Sequence, residues 1–144
     1  MARRVLVIED EENILLSLQF VLERAGYQVH SARTGQEGLC AIRRDRPDLV
    51  ILDLMLPDIS GYEVCQQARR DPSLAAMPIL VLTARAQEAE REKGLDVGAT
   101  EYVTKPFRVS DLLARVSRLL DSPRSDVRSP GSGVRGLEPG GSGS

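Results

Sequence analysis

Cysteine and histidine are scarce in this 144-residue sequence, which contains two cysteines and one histidine. Cys40 and Cys65 are too few for a disulfide framework, and together with His30 they lack the spacing of zinc ligands. We therefore expect both cysteines to be reduced and buried in helices, where they act as small apolar residues. His30 is expected to be a surface residue on an edge strand.

Long apolar runs are also absent, since none approaches the roughly 18 residues of a membrane-spanning helix. The basic pair Arg3 and Arg4 precedes a short apolar run that ends at the acidic Glu9, too early for a signal peptide. The sequence therefore predicts a cytoplasmic protein without a membrane partner. Its net charge of -2 makes direct binding to nucleic-acid phosphates unfavourable.

Short apolar runs are present instead, at residues 5–8, 49–52 and 79–82. Because apolar and polar residues do not alternate within them, each run predicts a strand that is covered on both faces, as in a parallel sheet. Two weaker strands are predicted at residues 28–31 and 101–103. The first of these should lie at a sheet edge because few of its residues are apolar.

Helical patterns separate the predicted strands. Apolar residues at positions 14, 15, 18, 21, 22 and 25 share one helical face, and Gly26 follows as a C-terminal cap. Thr34 and Ser60 each precede a glutamate by three residues, which indicates two capping boxes. Further helices are predicted at residues 87–93 and 112–120.

This alternation predicts a doubly wound α/β domain over residues 1–121, with helices on both faces of a parallel sheet. The first, third, fourth and fifth strands should be neighbours. Residues 122–144 are rich in Ser, Gly and Pro and show no helical or strand period. We expect this segment to be a flexible linker or tail.

Polar residues follow four of the strands. Glu9 and Asp10 follow the first, Asp53 the third, Thr83 the fourth and Lys105 the fifth. Ligands bind at the carboxyl ends of the strands in an open parallel sheet, so these side chains should converge there. Each residue alone is as readily a turn residue, a helix cap or a surface charge. Their joint placement is what indicates a site.

Three crowded carboxylates repel one another, and a divalent cation relieves that repulsion. An all-oxygen site suits Mg²⁺, which neutralises phosphoryl oxygens during in-line transfer. Asp53 could then act as a nucleophile that forms an acyl phosphate. Lys105 would supply a positive charge to a phosphoryl oxygen, and Thr83 a hydroxyl donor.

Four sequence motifs resemble those of response-regulator receiver domains. They are Val7-Ile8-Glu9-Asp10-Glu11, Leu52-Asp53-Leu54-Met55-Leu56-Pro57 with Gly61, Leu82-Thr83-Ala84, and Tyr102-Val103-Thr104-Lys105-Pro106-Phe107. They occur in order over about residues 3–120, and residues 85–107 are most similar to the OmpR/PhoB class. The resemblance implies a CheY-like three-layer sandwich with strand order 2-1-3-4-5.

The resemblance also implies a role in two-component signalling. Asp53 would take a phosphoryl group from a phosphohistidine on a sensor histidine kinase. Asp10, Asp53 and the backbone carbonyl of Met55 would bind Mg²⁺, and Glu9 would bind it directly or through water. Apart from self-catalysed transfer and slow autodephosphorylation, such a domain is a switch and not an enzyme.

The remaining implied roles concern the switch itself. Lys105, which would precede a cis Pro106, is expected to contact the phosphoryl group together with Thr83 and Ala84. Thr83 would move toward the phosphoryl group, and Tyr102 would turn inward into the space released. The domain would thus have two conformations, and the charge added by phosphorylation would favour one of them.

The output surface implied by the resemblance comprises the fourth helix, the fifth strand and the fifth helix. It would form a symmetric dimer through cross-subunit pairs of Arg91 with Asp111 and of Glu101 with Arg115. The alternative is that these four residues are solvated surface charges, whose pairs contribute little singly.

Three alternative functions make different demands on the sequence. A haloacid-dehalogenase-type phosphatase would need a second aspartate two residues after Asp53, where Met55 stands. A nucleotide-binding protein of this fold class would need a glycine-rich phosphate-binding motif, and neither G-x-G-x-x-G nor a P-loop is present. A receiver that acts only by protein docking would not need the full set of acidic and basic residues.

Transcription control would require an attached DNA-binding domain, for which residues 122–144 are too short.

Overall fold

The five predicted strands form one parallel sheet in the order β2-β1-β3-β4-β5, as expected. The structure is a computed structural model that describes residues 3–84 and 98–121. The strands are β1 (Arg4–Ile8), β2 (Gln28–Ala32), β3 (Leu49–Asp53), β4 (Ile79–Thr83) and β5 (Glu101–Thr104). Among the described strands β2 pairs only with β1, so it is an edge strand, which agrees with its low apolar content.

Four α-helices and one short 3-10 helix are described. They are α1 (Glu12–Arg24), α2 (Gly35–Asp45), α3 (Gly61–Arg69), the 3-10 helix Pro72–Leu74, and a C-terminal helix, Val109–Asp121. Gly26 follows α1 at a φ of +101°, the left-handed conformation expected of a glycine after a helix. The predicted helix at 87–93 and the tail at 122–144 lie outside the described residues. None of the helices within 3–84 and 98–121 has the length and apolarity needed to cross a bilayer.

Two apolar cores lie on opposite faces of the sheet, because successive residues of a strand point to opposite sides. Leu6 and Val50 share one core with the buried side chains of α2 and α3. Val5 and Leu49 share the other with those of α1 and the C-terminal helix. All five residues of β3 and of β4 are buried. The continuous apolar runs of the sequence therefore correspond to strands that are covered on both sides in a three-layer sandwich.

The two cysteines differ in burial, so the prediction that both are buried is wrong for Cys40. Cys65 on α3 is buried, and burial raises the pKa of its thiol to about 12. Cys40 is exposed because the inward face of α2 is formed by its neighbours Leu39 and Ile42. Ala25, which was expected on the buried face of α1, is an exposed C-cap residue instead.

Both predicted capping residues begin helices that flank the candidate site. The side chain of Thr34 accepts from the backbone N–H of Glu37, and that of Ser60 accepts from the backbone N–H of Glu63. The Glu37 carboxylate accepts from the N–H of Arg33, one residue before the cap, at 2.9 Å. Both cap residues thus agree with the sequence pattern, but the return bonds of a capping box differ: Glu37 binds the residue before the cap, and the Glu63 carboxylate accepts from Gln67 Nε2 at 2.8 Å.

Arg69, at the end of α3, fixes the turn that leads into β5. Its guanidinium donates twice to the carbonyl oxygen of Gly98, at 2.7 and 3.0 Å, and once to that of Leu74, at 2.7 Å. The packing is close, since a Cβ added to Gly98 would lie 2.5 Å from the Arg69 Cγ atom. Arg69 thereby fixes the position of the start of β5 relative to α3. Lys105 directly follows β5, so its position depends on the same contacts.

Candidate functional site

Three carboxylates meet at the carboxyl edge of the sheet. Glu9 and Asp10 directly follow β1, and Asp53 is the last residue of β3. Because these strands are neighbours, with Ile8 paired to Leu52, their ends lie side by side. One oxygen from each of the three carboxylates lies within 4.8 Å of the other two. The predicted convergence of the acidic residues is therefore present in the fold.

Lys105 connects two of these carboxylates from the end of β5. Its Nζ atom lies 3.2 Å from Glu9 Oε1 and 3.3 Å from Asp53 Oδ1. The Lys105 backbone N–H donates to the carbonyl oxygen of Thr83 at 2.7 Å, and the Lys105–Pro106 peptide bond is cis, as the resemblance implies. Burial lowers the pKa of the ammonium, but Asp53 and Glu9 more than offset this, so the pKa is raised. Lys105 is therefore charged.

Glu9 is the least solvated member of the site. Its side chain is fully buried, and Oε2 accepts from the backbone N–H of Glu11 at 3.1 Å. Although Lys105 Nζ is near Oε1, this oxygen accepts no well-aligned hydrogen bond from the described residues. Burial, together with the charge of Asp53, raises the pKa of Glu9 to about 7, against the opposing effects of the Glu11 N–H and Lys105. Glu9 is thus poised between its two protonation states near neutral pH.

These oxygens fit a hard divalent cation. The donor set consists only of carboxylates, which suits Mg²⁺. A cation would also offset the repulsion that the buried carboxylates exert on one another, and it would provide a partner for Glu9 Oε1. Met55 lies in the loop after Asp53 with its side chain 73% exposed, so the side chain itself contributes nothing to the site. A role for the Met55 carbonyl remains a prediction.

Of the residues proposed for the switch, Thr83 lies at the same end of the sheet, whereas Tyr102 lies earlier on β5, beside Val81. Asp53 pairs with Leu82, which places buried Thr83 one residue further along at the same edge. Ala84 follows Thr83 and is exposed. Tyr102 is partly buried against the core beneath α2 and α3, and its hydroxyl lies 3.4 Å from that of Tyr62. The Tyr102 side chain therefore points toward α3 in this structure.

Gly61 brings α3 against the backbone of the site. A Cβ at this position would lie 2.7 Å from the Asp53 carbonyl oxygen and 2.8 Å from Leu54 Cα. The Gly61 N–H donates to the Leu54 carbonyl oxygen at 2.9 Å, which closes the loop between β3 and α3. Only glycine allows this approach, because the neighbouring atoms belong to the backbone and cannot rotate away.

The residues expected on the dimer face are only partly described. Arg91 lies outside the described residues, and Asp111 is exposed in the first turn of the C-terminal helix. Glu101 on β5 accepts from Arg115 at 3.0 Å and from Arg118 at 2.5 Å. The pair of Glu101 with Arg115 thus forms within one chain here.

Asp58 is a residue that the sequence reasoning missed. It lies in the loop between β3 and α3, and its carboxylate accepts from the backbone N–H groups of Gly35 and Gln36 on α2. The only local signal is that Asp58 follows Pro57, a pair typical of turns. Nothing in such a pair indicates a partner more than twenty residues away.

An acidic cluster beside a strand-end lysine, on a 2-1-3-4-5 sheet, defines the receiver class of signalling proteins. Residues 5–117 match the response regulator receiver domain, and the chain belongs to this family. It is therefore a receiver domain of two-component response regulators.

Relatives and solved structures agree with this assignment. The chain is 42% identical over 138 residues to the alkaline phosphatase synthesis transcriptional regulatory protein PhoP of Bacillus subtilis, covering 96% of this chain and 56% of that protein. It is 41% identical over 129 residues to the phosphate regulon transcriptional regulatory protein PhoB of Rhizobium meliloti, covering 90% and 57%. The chemotaxis response regulator CheY4 of Vibrio cholerae superposes with a TM-score of 0.80 at 32% identity, covering 83% of this chain and all of that one. The chain thus spans about half the length of the curated relatives it matches.

Proposed function

We propose that this receiver accepts a phosphoryl group on Asp53 from a phosphohistidine of a sensor histidine kinase. The observation that carries the proposal is the position of the Asp53 carboxylate, which lies beside two other acids and in contact with the Lys105 ammonium. Thr83 and Ala84 follow at the same sheet edge and are proposed to contact the phosphoryl group. The receiver unit is proposed to comprise residues 1–121, in the cytoplasm, with residues 122–144 as a linker or tail.

In the transfer, a carboxylate oxygen of Asp53 attacks phosphorus. A P–O bond forms while the P–N bond to the kinase histidine breaks, and the electron pair returns to the imidazole nitrogen. Asp53 is only 3% exposed and Lys105 contacts Oδ1, so attack through this oxygen would require the ammonium to shift from it to the incoming phosphoryl group. Mg²⁺ held by Glu9, Asp10, Asp53 and the Met55 carbonyl would neutralise charge on the phosphoryl oxygens.

A phosphatase of the haloacid-dehalogenase type is not favoured by these residues. Its general acid would occupy the position of Met55, which carries no titrating proton and extends into solvent. The site therefore supplies a nucleophile, an ammonium and a cluster of metal-binding oxygens. It does not supply, at position 55, the second acid that a phosphatase of this type needs for rapid hydrolysis of the acyl phosphate.

Treatment with acetyl phosphate tests whether Asp53 is the residue that accepts the phosphoryl group. With Mg²⁺ present, intact mass should show one added phosphoryl group on the wild type and on the control variant Asp45→Asn, which removes a partly exposed carboxylate paired with Arg44 at the C-terminal end of α2. Asp53→Asn should remain unlabelled. Equal labelling of Asp53→Asn would identify another acceptor, whereas an unlabelled wild type would favour the alternative in which this receiver acts only by docking.

We further propose that phosphorylation changes the face formed by β5 and the C-terminal helix, through movement of Thr83 and Tyr102. Tyr102 supports this proposal because it connects the two regions: it belongs to β5, is only partly buried, and its hydroxyl lies 3.4 Å from that of Tyr62 on α3. The altered face would form a symmetric dimer in which Glu101 exchanges its Arg115 partner for that of a second chain, with Arg91 and Asp111 as a second pair. The names of the relatives support a transcriptional output for the protein that contains this receiver.

Sedimentation of the beryllofluoride-treated chain tests the dimer. We expect wild type to sediment as a dimer with beryllofluoride and Mg²⁺ and as a monomer without them. Asp53→Asn should stay monomeric under both conditions, because it lacks the carboxylate that beryllofluoride modifies. Arg115→Glu should weaken the dimer by placing two like charges opposite each other. A treated wild type that stays monomeric at high protein concentration would contradict the proposal.

A further inference from the structure

The loop that follows Asp53 is fastened to α2 by one side chain. Asp58 accepts from the N–H of Gly35 through Oδ1 at 2.8 Å and from that of Gln36 through Oδ2 at 2.9 Å. These are the first two residues of α2, and the next amide, that of Glu37, is taken by Thr34. A distant loop thus caps two of the free N–H groups that a helix leaves at its start.

Packing supports the same connection. A Cβ added to Gly35 would lie 2.4 Å from Cγ1 of Ile59, so the loop approaches α2 as closely as a glycine permits. Arg33, just before α2, donates from Nη2 to the Asp10 carbonyl oxygen at 3.2 Å. The start of α2 therefore contacts the loop after β1, which carries Asp10, and the loop that directly follows Asp53.

The middle of the loop is held by the packing of Leu56 and Ile59 against the core and by the carboxylate of Asp58. Its first residue, Leu54, is fixed because its N–H donates to the Leu82 carbonyl oxygen at 3.1 Å. Its end is fixed by the Gly61 N–H, which donates to Leu54. Between these points lies Met55, whose side chain is exposed. The two charge-assisted hydrogen bonds of Asp58 hold this middle portion on a helix that belongs to the rigid sandwich.

We propose that Asp58 is a positioning residue, whose carboxylate fastens the loop between β3 and α3 to the start of α2 and so presets the Mg²⁺ site. This inference rests on the proposed function, since it concerns the backbone next to Asp53. Asp58 would not touch the metal or the phosphoryl group. It acts through the loop, in the way that groups behind metal ligands hold those ligands in place.

Comparing Asp58→Ala with Thr34→Ala separates positioning from helix capping, because both variants remove a cap from the same end of α2. Mg²⁺ affinity is measured by calorimetry, and hydrogen exchange of the Gly61 amide is measured in metal-free protein. Asp58→Ala should raise the Mg²⁺ dissociation constant about tenfold and accelerate exchange at Gly61. Thr34→Ala should leave both values near those of the wild type.

The conservative variant Asp58→Asn retains one acceptor oxygen and should recover part of the affinity. Equal effects of Asp58→Ala and Thr34→Ala would show that Asp58 only caps α2, which would overturn the inference, as would unchanged Mg²⁺ affinity in a folded Asp58→Ala. A wild type that binds no Mg²⁺ would overturn the proposed function and the inference that depends on it. The wild-type titration thus distinguishes the two failures.

Discussion

Replacing Lys105 with methionine is expected to lower the free energy of unfolding of the metal-free protein at pH 8 by about 3 kcal/mol. The ammonium lies between Glu9 and Asp53, which are 0% and 3% exposed. Methionine preserves most of the side-chain volume but leaves two buried carboxylates without a cation. Urea unfolding in the presence of a chelator measures the effect.

Mg²⁺ should restore much of the stability lost in Lys105→Met. A cation that binds only the folded protein stabilises it by mass action, and the variant presents the same carboxylates with less competing positive charge. Adding Glu9→Gln should also recover part of the loss, because one of the unpaired charges is then removed. A loss that neither Mg²⁺ nor the second substitution reduces would show that Lys105 contributes through the packing of its stem.

Arg118→Met provides a matched control for this experiment. Arg118 also pairs with a carboxylate, that of Glu101, but its side chain is 59% exposed. An exposed pair of this kind contributes less than about 1 kcal/mol, and its effect falls with added salt. Arg118→Met should therefore change the free energy of unfolding little, and Mg²⁺ should not correct that change.

The sheet could be predicted from the sequence because burial on both faces leaves a direct trace in the residue pattern. β3 and β4 are apolar at every position before the last and are buried throughout. β2 has fewer apolar residues because it is an edge strand. Helix phase was harder to predict, since Cys40 is one position away from buried Leu39 and yet exposed.

The acidic cluster could be predicted for a topological reason. Parallel strands all end at one edge, so residues 9, 10, 53 and 105 are brought together once the strand order is known. The partners of Asp58 and Arg69 could not be predicted in this way. Both bind backbone groups of distant segments, Gly35 in one case and Gly98 in the other, and a backbone amide or carbonyl carries no residue-specific signal.

Glu101 shows a different limit of sequence reasoning. The opposite charges of Glu101 and Arg115 fitted a contact between two chains, yet the fold brings β5 and the C-terminal helix close enough for the pair to form within one chain. Charge complementarity identifies which residues can pair. It does not determine whether the partners belong to the same chain, because both arrangements satisfy the same two groups.

Replacing Glu9 with glutamine should stabilise the metal-free protein at pH 8 by about 2 to 3 kcal/mol and weaken Mg²⁺ binding. Burial raises the pKa of Glu9 from 4.5 to about 7, so the folded protein holds this proton more tightly than the unfolded chain does. The stability that protonated Glu9 provides is complete below pH 4.5 and is lost as the pH rises through about 7. Glutamine has no proton to lose, so the free energy of unfolding of Glu9→Gln should exceed that of the wild type by an amount that grows over the same pH interval.

Urea unfolding with a chelator at pH 5 and pH 8 measures how the free energy of unfolding changes over this pH interval. Glu12→Gln serves as the control because Glu12 is an exposed acid in the first turn of α1. Glu12→Gln should retain the pH dependence of the wild type, whereas Glu9→Gln should flatten it. A Glu9→Gln variant that keeps the full pH dependence would show that another group is responsible.

The same proton should control metal affinity. Mg²⁺ binds the deprotonated carboxylate, so calorimetry should show that wild-type affinity decreases, and proton release on binding increases, as the pH falls below about 7. In Glu9→Gln, binding should be weaker above about pH 7, should approach that of the wild type as the pH falls, and should release fewer protons. Unchanged affinity in this variant would remove Glu9 from the metal site while leaving Asp10 and Asp53. The buried carboxylate of Glu9 is unfavourable in the metal-free protein and favourable beside a cation. Glu9 is therefore expected to destabilise the metal-free protein and to strengthen Mg²⁺ binding.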